Sequence, residues 1–207
     1  MKRGLFPLSS ESSEDKNLAQ AAVADPAVLA SVVEALSGAS RRERQQAAKT
    51  VAAVAKENPA VLIDHSTALV DALERPEAQT RWECLDALTQ IIPLDSRACD
   101  KAVPGAEAAL FDEDSGPLRL AAMRFLCYLG ATTEKRSEKV WPLIDEGIQC
   151  CHGDLEFQDM LLAVIDFSAG KLDPSVKEAL AERMRFDATN GKGMLKRRAS
   201  QILENVS

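Results

Sequence analysis

Apolar residues along most of this chain recur at intervals of three, four and seven, and no run alternates apolar and polar positions with period two. The first spacing places side chains on one face of an α-helix, whereas alternation would mark a strand. Pro and Gly punctuate the periodic stretches. The pattern predicts first helices over residues 26–37, 59–74, 96–112, 135–151 and 174–187. It predicts second helices over residues 41–57, 77–92, 116–130, 155–169 and 192–205. Pro104 and Pro142 fall inside first helices, where a missing backbone donor and a crowded preceding turn predict kinks. Trp141, beside the second of these prolines, reads as core.

The pattern also repeats. Asp25-Pro26-Ala27-Val28-Leu29 returns as Asn58-Pro59-Ala60-Val61-Leu62, each a polar residue before a proline that can open a helix without losing a hydrogen bond. In the second helices, Arg44, Arg81, Arg119, Gln158 and Lys196 lie 37, 38, 39 and 38 residues apart. Three residues after each come Ala47, Cys84, Ala122, Leu161 and Ala199; seven after come Val51, Leu88, Leu126, Ile165 and Leu203. Ten after the first three come Val54, Ile91 and Leu129. These offsets share one helical face. A single helical pair cannot cover such a stripe, but stacked pairs bury a continuous core. The expected fold is all-α: an α-solenoid of about five helical pairs in one domain over residues 19–207. Residues 1–18, with Ser9-Ser10-Glu11-Ser12-Ser13-Glu14-Asp15 in a row, are expected to form a polar, flexible tail.

Val103-Pro104-Gly105-Ala106-Glu107-Ala108-Ala109-Leu110-Phe111-Asp112-Glu113-Asp114, continuing through Leu118-Arg119-Leu120-Ala121-Ala122 to Leu129-Gly130, resembles a HEAT repeat, and Trp141-Pro142-Leu143-Ile144 matches its kinked half again. The resemblance spans about residues 26–206 and implies an armadillo-like solenoid. Repeats four and five replace the family's arginine with Gln158 and Lys196. In such stacks the second helices line the concave surface. Counting offsets of two, five and nine away from the apolar stripe places Gln46, Lys49 and Ala53 outward in repeat one. Glu83, Asp86 and Gln90 follow in repeat two, Ala121, Arg124 and Tyr128 in repeat three, and Met160, Ala163 and Phe167 in repeat four, with Trp82 on the border. Trp82, Glu83, Asp86, Arg124, Tyr128, Met160 and Phe167 are therefore the candidate partner-binding residues, since exposed aromatic and Met side chains release apolar area when covered.

Composition narrows the functional classes. The 207 residues carry a formal charge of −7, which disfavours a nucleic-acid partner, and only 4% aromatics, which with the Ala, Leu and Val content points to packed helices and not to a β-sandwich. Lys192, Lys196, Arg197 and Arg198 form a local basic end, read as a candidate anionic docking point or a polar cap. Met1 to Leu8 begin with charge but lack the apolar run of a signal peptide, and no stretch suits a membrane span. Cys84, Cys99, Cys127, Cys150 and Cys151 are odd in number without a disulfide framework, and the expected location is cytoplasmic.

Catalytic signals are sparse. Cys150-Cys151-His152 lacks a second pair of ligands for zinc. His65 has no visible partner, and neither histidine is followed by the Glu that iron-binding HEAT-like hydroxylases need. No metal or other cofactor is expected. The leading expectation is a non-catalytic scaffold binding a protein or peptide on the concave face. The alternative is a HEAT-like DNA-alkylation-repair glycosylase, in which Trp82, Asp86 and Tyr128 would supply an aromatic pocket and a carboxylate. The acidic chain opposes the basic groove that such an enzyme requires.

Overall fold

A computed structural model describes residues 13–207, and the side chains from residue 16 onward. Residues 1–12, most of the expected tail, lie outside the described residues. Ser13–Leu18 belong instead to a first helix, α1 (Ser13–Ala24), because Ala19 and Ala22 are buried against α2 (Pro26–Glu34) and α3 (Arg41–Glu57). The remaining helices are α4 (Ser66–Asp71), α5 (Ala78–Ile91), α6 (Ser96–Cys99), α7 (Val103–Leu110), α8 (Gly116–Gly130), α9 (Glu134–Cys150), α10 (Phe157–Ser168), α11 (Pro174–Asn190) and α12 (Gly193–Val206). Among the described residues no strand occurs, and no helix is long and apolar enough to cross a membrane.

Local chemistry sets the starts of these helices. Asp25 and Asp173 each stand before a proline and accept a backbone N–H two residues on, from Ala27 and Ser175. Ser40 and Glu43 form a reciprocal capping box at α3. Asn58 makes no side-chain cap, and the chain after Pro59 winds as a 3-10 segment (Pro59–His65) before α4 begins. Pro104 splits its segment into α6, a 3-10 turn and α7, and stands in the first turn of α7 where its missing donor costs nothing. At Pro142 the helix is continuous, α9 running through the proline from Glu134 to Cys150.

The second helices pack in series, α3 on α5, α5 on α8, α8 on α10 and α10 on α12. Their shared stripe is the core. Ala47, Val51, Val54, Cys84, Leu88, Ile91, Ala122, Leu126 and Leu129 are all buried. The first helices stack beside them, α2 on α4, α4 on α6, α7 on α9 and α9 on α11.

Two ladders of ion pairs tie neighbouring repeats. Arg44 donates to both carboxylate oxygens of Glu77 and, through Nη1, to the carbonyls of Gly38 (2.8 Å) and Ala39 (3.0 Å). Arg81 reaches Asp112 at 3.1 Å. Arg119 reaches Asp154 at 2.9 Å and the Asp112 carbonyl at 2.7 Å. Each recurrent arginine thus joins its own helix to an acid 31 to 35 residues downstream. On the first helices, Arg136 makes a bidentate pair with Asp100 (2.7 and 2.9 Å) and Arg183 one with Asp145 (2.5 and 3.0 Å).

Leu88 and Leu126 are fully buried at the middle of the stack. Truncating either to Ala should cost about 2–5 kcal/mol in chemical denaturation, from lost transfer energy and the cavity left behind. Gln90→Ala, at an exposed position, should stay within about 0.5 kcal/mol.

The first-helix ladder generates an acid sensitivity. The hydrogen bonds from Arg136 hold the Asp100 carboxyl below its ordinary value, so this contribution to stability is present above the unfolded carboxyl value and disappears as pH falls through the lower folded one. Urea midpoints measured from neutral pH down to about pH 2 should therefore decline less steeply in Asp100→Asn than in the parent.

Candidate functional site

The second helices leave a groove of about 520 Å³ that crosses α3, α5, α8 and α10. Its walls bring together Lys56 from α3, Asp86 from α5, Arg124 and Tyr128 from α8, and Asp159, Leu162 and Asp166 from α10. Asp86, Arg124 and Tyr128 belong to the expected site and do meet here. They meet because offsets five and nine point away from the stripe that each helix buries in its neighbour. Tyr128 is 40% exposed, and its hydroxyl donates to Asp166 Oδ2 at 3.0 Å. That bond crosses from α8 to α10 and fixes the ring at the groove's edge.

The fourth repeat corrects the expectation. Met160 and Phe167 are 1% and 0% exposed, so neither can form part of an open surface. The ring of Phe167 stacks on Trp141, with centroids 6.5 Å apart and planes at 2°. It also lies over Gly130, where a Cβ would come within 2.8 Å of it and within 2.5 Å of Val140. The glycine therefore makes room for the packing of α8, α9 and α10. Met160 shares the buried face of Phe157, Leu161 and Val164. Counting from Phe157 instead of Gln158 restores the repeat: Met160, Val164 and Phe167 then stand at offsets three, seven and ten, all buried, and Leu162 and Asp166 at five and nine, both exposed. The sequence held this signal, since offset ten from Gln158 is Ser168, which breaks an otherwise apolar position. Asp159, Leu162 and Asp166 are the residues that sequence reasoning missed.

Other candidate residues stand apart. Trp82 is half-buried, packs against the core and does not line the groove. Glu83 is half-buried beside it, one turn before Asp86 on α5. Arg198 leaves the basic cluster, because it donates to the backbone carbonyl of Gln158 and so ties α12 to α10. Lys192, Lys196 and Arg197 remain exposed, with Lys196 Nζ donating to the Thr189 carbonyl at 3.1 Å.

The charges of the groove are unevenly satisfied. Desolvation pushes the Asp86 carboxyl above its ordinary value, against the opposing pull of Arg124 and Lys56. Desolvation likewise raises Glu83, helped by the nearby Asp86 and opposed by Lys56. Partial burial and the bond to Asp166 raise the Tyr128 phenol, which holds its proton at neutral pH. Away from the groove, burial pushes the Cys84 and Cys127 thiols up, and Cys151 up to about 11, a direction opposite to that of a reactive thiolate. Among the described residues no group of three or more His, Cys, Asp or Glu side chains is placed to hold a metal ion. The arrangement offers charge and contact area along a channel: acids, two cations, an aromatic edge and an exposed leucine.

No family model and no curated protein matches the chain. Solved structures do match its fold. A designed armadillo repeat protein in complex with the peptide (KR)4 aligns with TM-score 0.73 and 16% identity over 94% of this chain and 92% of its own. A computationally designed armadillo repeat protein for modular peptide recognition aligns with TM-score 0.73 and 17% identity over 96% of each chain. The archaeal HEAT-like repeats protein from Thermococcus onnurineus NA1 aligns with TM-score 0.57 and 13% identity over 98% of each. With helices paired, stacked in series and tied by a recurring arginine, this chain has the HEAT/armadillo-like repeat fold.

Proposed function

We propose that this protein is a non-catalytic scaffold that holds an extended, basic segment of a protein partner across the second-helix groove. The observation that carries the reading is the groove itself, with Asp86, Asp159 and Asp166 arranged around the exposed edges of Tyr128 and Leu162. An extended segment suits a channel that crosses successive helices, since each repeat offers similar positions at a regular step. Lys or Arg side chains complement the three aspartates, while Leu162 and the Tyr128 ring cover the aliphatic stems. Tyr128 is already oriented by Asp166, so less side-chain freedom is lost on binding. The likeness in fold to a designed protein bound to (KR)4 supports this class of partner.

Asp86 adds a second line of support. Its ionised form is disfavoured by burial, so its charge works against stability and fits a role in recognition. A carboxyl raised in the folded state destabilises the fold while ionised, and that penalty fades as pH falls through the folded value to the unfolded one. Asp86→Asn should raise the denaturation midpoint at neutral pH, with the gain shrinking on acidification through about pH 4.

The binding test uses a fluorescently labelled octapeptide of alternating Lys and Arg, with an Asp–Glu octapeptide as control, read by anisotropy at low and moderate salt. The basic peptide should bind, and the Asp159→Asn plus Asp166→Asn variant should weaken it by about tenfold or more, as expected when charge-assisted contacts are lost. Equal binding of the two peptides, or an unaffected double variant, would overturn the assignment. Salt-dependent binding of duplex DNA in the same assay would instead favour nucleic-acid recognition.

A further inference from the structure

The charges of the second-helix groove change sign from one helix to the next. In stacking order they are Lys56 on α3, Asp86 on α5, Arg124 on α8, and Asp159 with Asp166 on α10. Asp86 and Arg124 stand at the same register position, five residues after Arg81 and Arg119. Equivalent points of successive repeats therefore present opposite charges to the channel. Arg124 has no part in the ladders. Its side chain is exposed, and among the described residues its guanidinium makes no hydrogen bond or ion pair. Arg44, Arg81 and Arg119 differ, being mostly buried with each holding an acid. Arg124 nevertheless acts on the groove, because its charge favours the ionised form of Asp86.

A segment that repeats one basic residue at every step is only partly satisfied in such a channel. A Lys or Arg opposite Asp86 is attracted, but the same residue one helix further meets Arg124 and is repelled. We propose that the partner segment is mixed in charge, with an Asp or Glu opposite Arg124 between Lys or Arg residues that face Asp86 and the Asp159–Asp166 pair. This inference rests on the reading of the groove as a channel for an extended segment. Packed helices lie about 8–10 Å apart and an extended chain advances about 3.3 Å per residue, so each step takes about three residues. The segment therefore runs basic, acidic, basic at that interval. A guanidinium takes a carboxylate through two parallel N–H donors, so Arg124 sets the register in which the basic residues meet their aspartates. Lys56 continues the alternation toward α3 and favours a second acid there. An all-basic segment still binds, because the aspartates outnumber the cations, but it lacks a preferred register.

The test compares labelled peptides of identical composition, Arg residues and one Glu among Ser spacers, with the Glu in the centre or at either end. They are titrated by anisotropy into the full chain and into Arg124→Glu, beside the all-basic octapeptide. A groove that asks only for positive charge prefers the peptides with Glu at an end, where the acid can lie outside. A groove that alternates prefers the central Glu, by about fivefold over both isomers. In Arg124→Glu that order should reverse, while the all-basic octapeptide should bind about fivefold tighter than to the parent. Arg124 is exposed, so the substitution leaves the buried stripe intact. Equal binding of the isomers, or a central-Glu preference that persists in Arg124→Glu, would overturn this inference while leaving the basic-segment reading in place, provided the octapeptide binds. If neither the octapeptide nor any isomer binds, the reading of the groove fails and this inference with it.

Discussion

Every helix pair in this protein has more apolar surface than it can cover by itself, and the rest of the structure follows from that deficit. Ala47, Val51 and Val54 of α3 and Cys84, Leu88 and Ile91 of α5 are all buried in a stack where α3 packs on α1, α2 and α5, and α5 on α3, α4 and α8. Removal of apolar area from water drives each addition to the stack. Contact is concentrated between neighbouring pairs, so the energy is close to a sum over neighbouring interfaces. At the C-terminal end, Ala199 and Ile202 of α12 supply the cover while Lys192, Lys196 and Arg197 stay in water. Among the described residues at the other end, Leu18 of α1 borders a seam lined by Val28 and Val32 of α2 and Ala47 of α3.

Apolar burial fixes that the pairs stack, but it tolerates sliding; the arginine ladders are what specify the step. A bidentate contact such as Arg136 on Asp100 has one good geometry. Arg44, Arg81 and Arg119 each span from their own helix to an acid of the following repeat. Glu77 is almost wholly buried and depends on Arg44 for compensation. The ladder stops at repeat four, where Phe157 occupies the equivalent position and is buried. There the registering role passes to packing, with Phe167 held between Trp141 and the bare backbone of Gly130, and to Arg198, which reaches back to the Gln158 carbonyl.

The groove is a by-product of the same stacking. Positions opposite the buried stripe fall into register across α5, α8 and α10, so three helices present aspartates, a tyrosine and a leucine along one channel. Its acids are not all paired within the chain in the way the ladder acids are. The ladder holds its carboxyls low, at Glu77 and Asp100, whereas desolvation raises Asp86 and Glu83. The two sets of carboxyls therefore do opposite things to stability.

The sequence by itself determined the class of fold, the number of helical pairs over residues 26–206 and the recurring arginine, because helical periodicity and proline or glycine punctuation are local properties of the chain. It also placed Asp86, Arg124 and Tyr128 on one surface, although Ala121, counted outward with them in repeat three, is buried. It misplaced Met160 and Phe167 because α10 is apolar around most of its circumference: Leu161, Val164 and Ile165 are buried as well. A helix of that kind has no single apolar face from which to count, and a shift of one residue rotates it by about 100°. In the sequence the one sign of that rotation is Ser168, polar at offset ten; the tertiary structure shows its cause, the space that Gly130 leaves for the Phe167 ring. The same holds for α1: its polar beginning carries no strong periodicity, and it became part of the fold because α2 and α3 offered Ala19 and Ala22 a surface to bury.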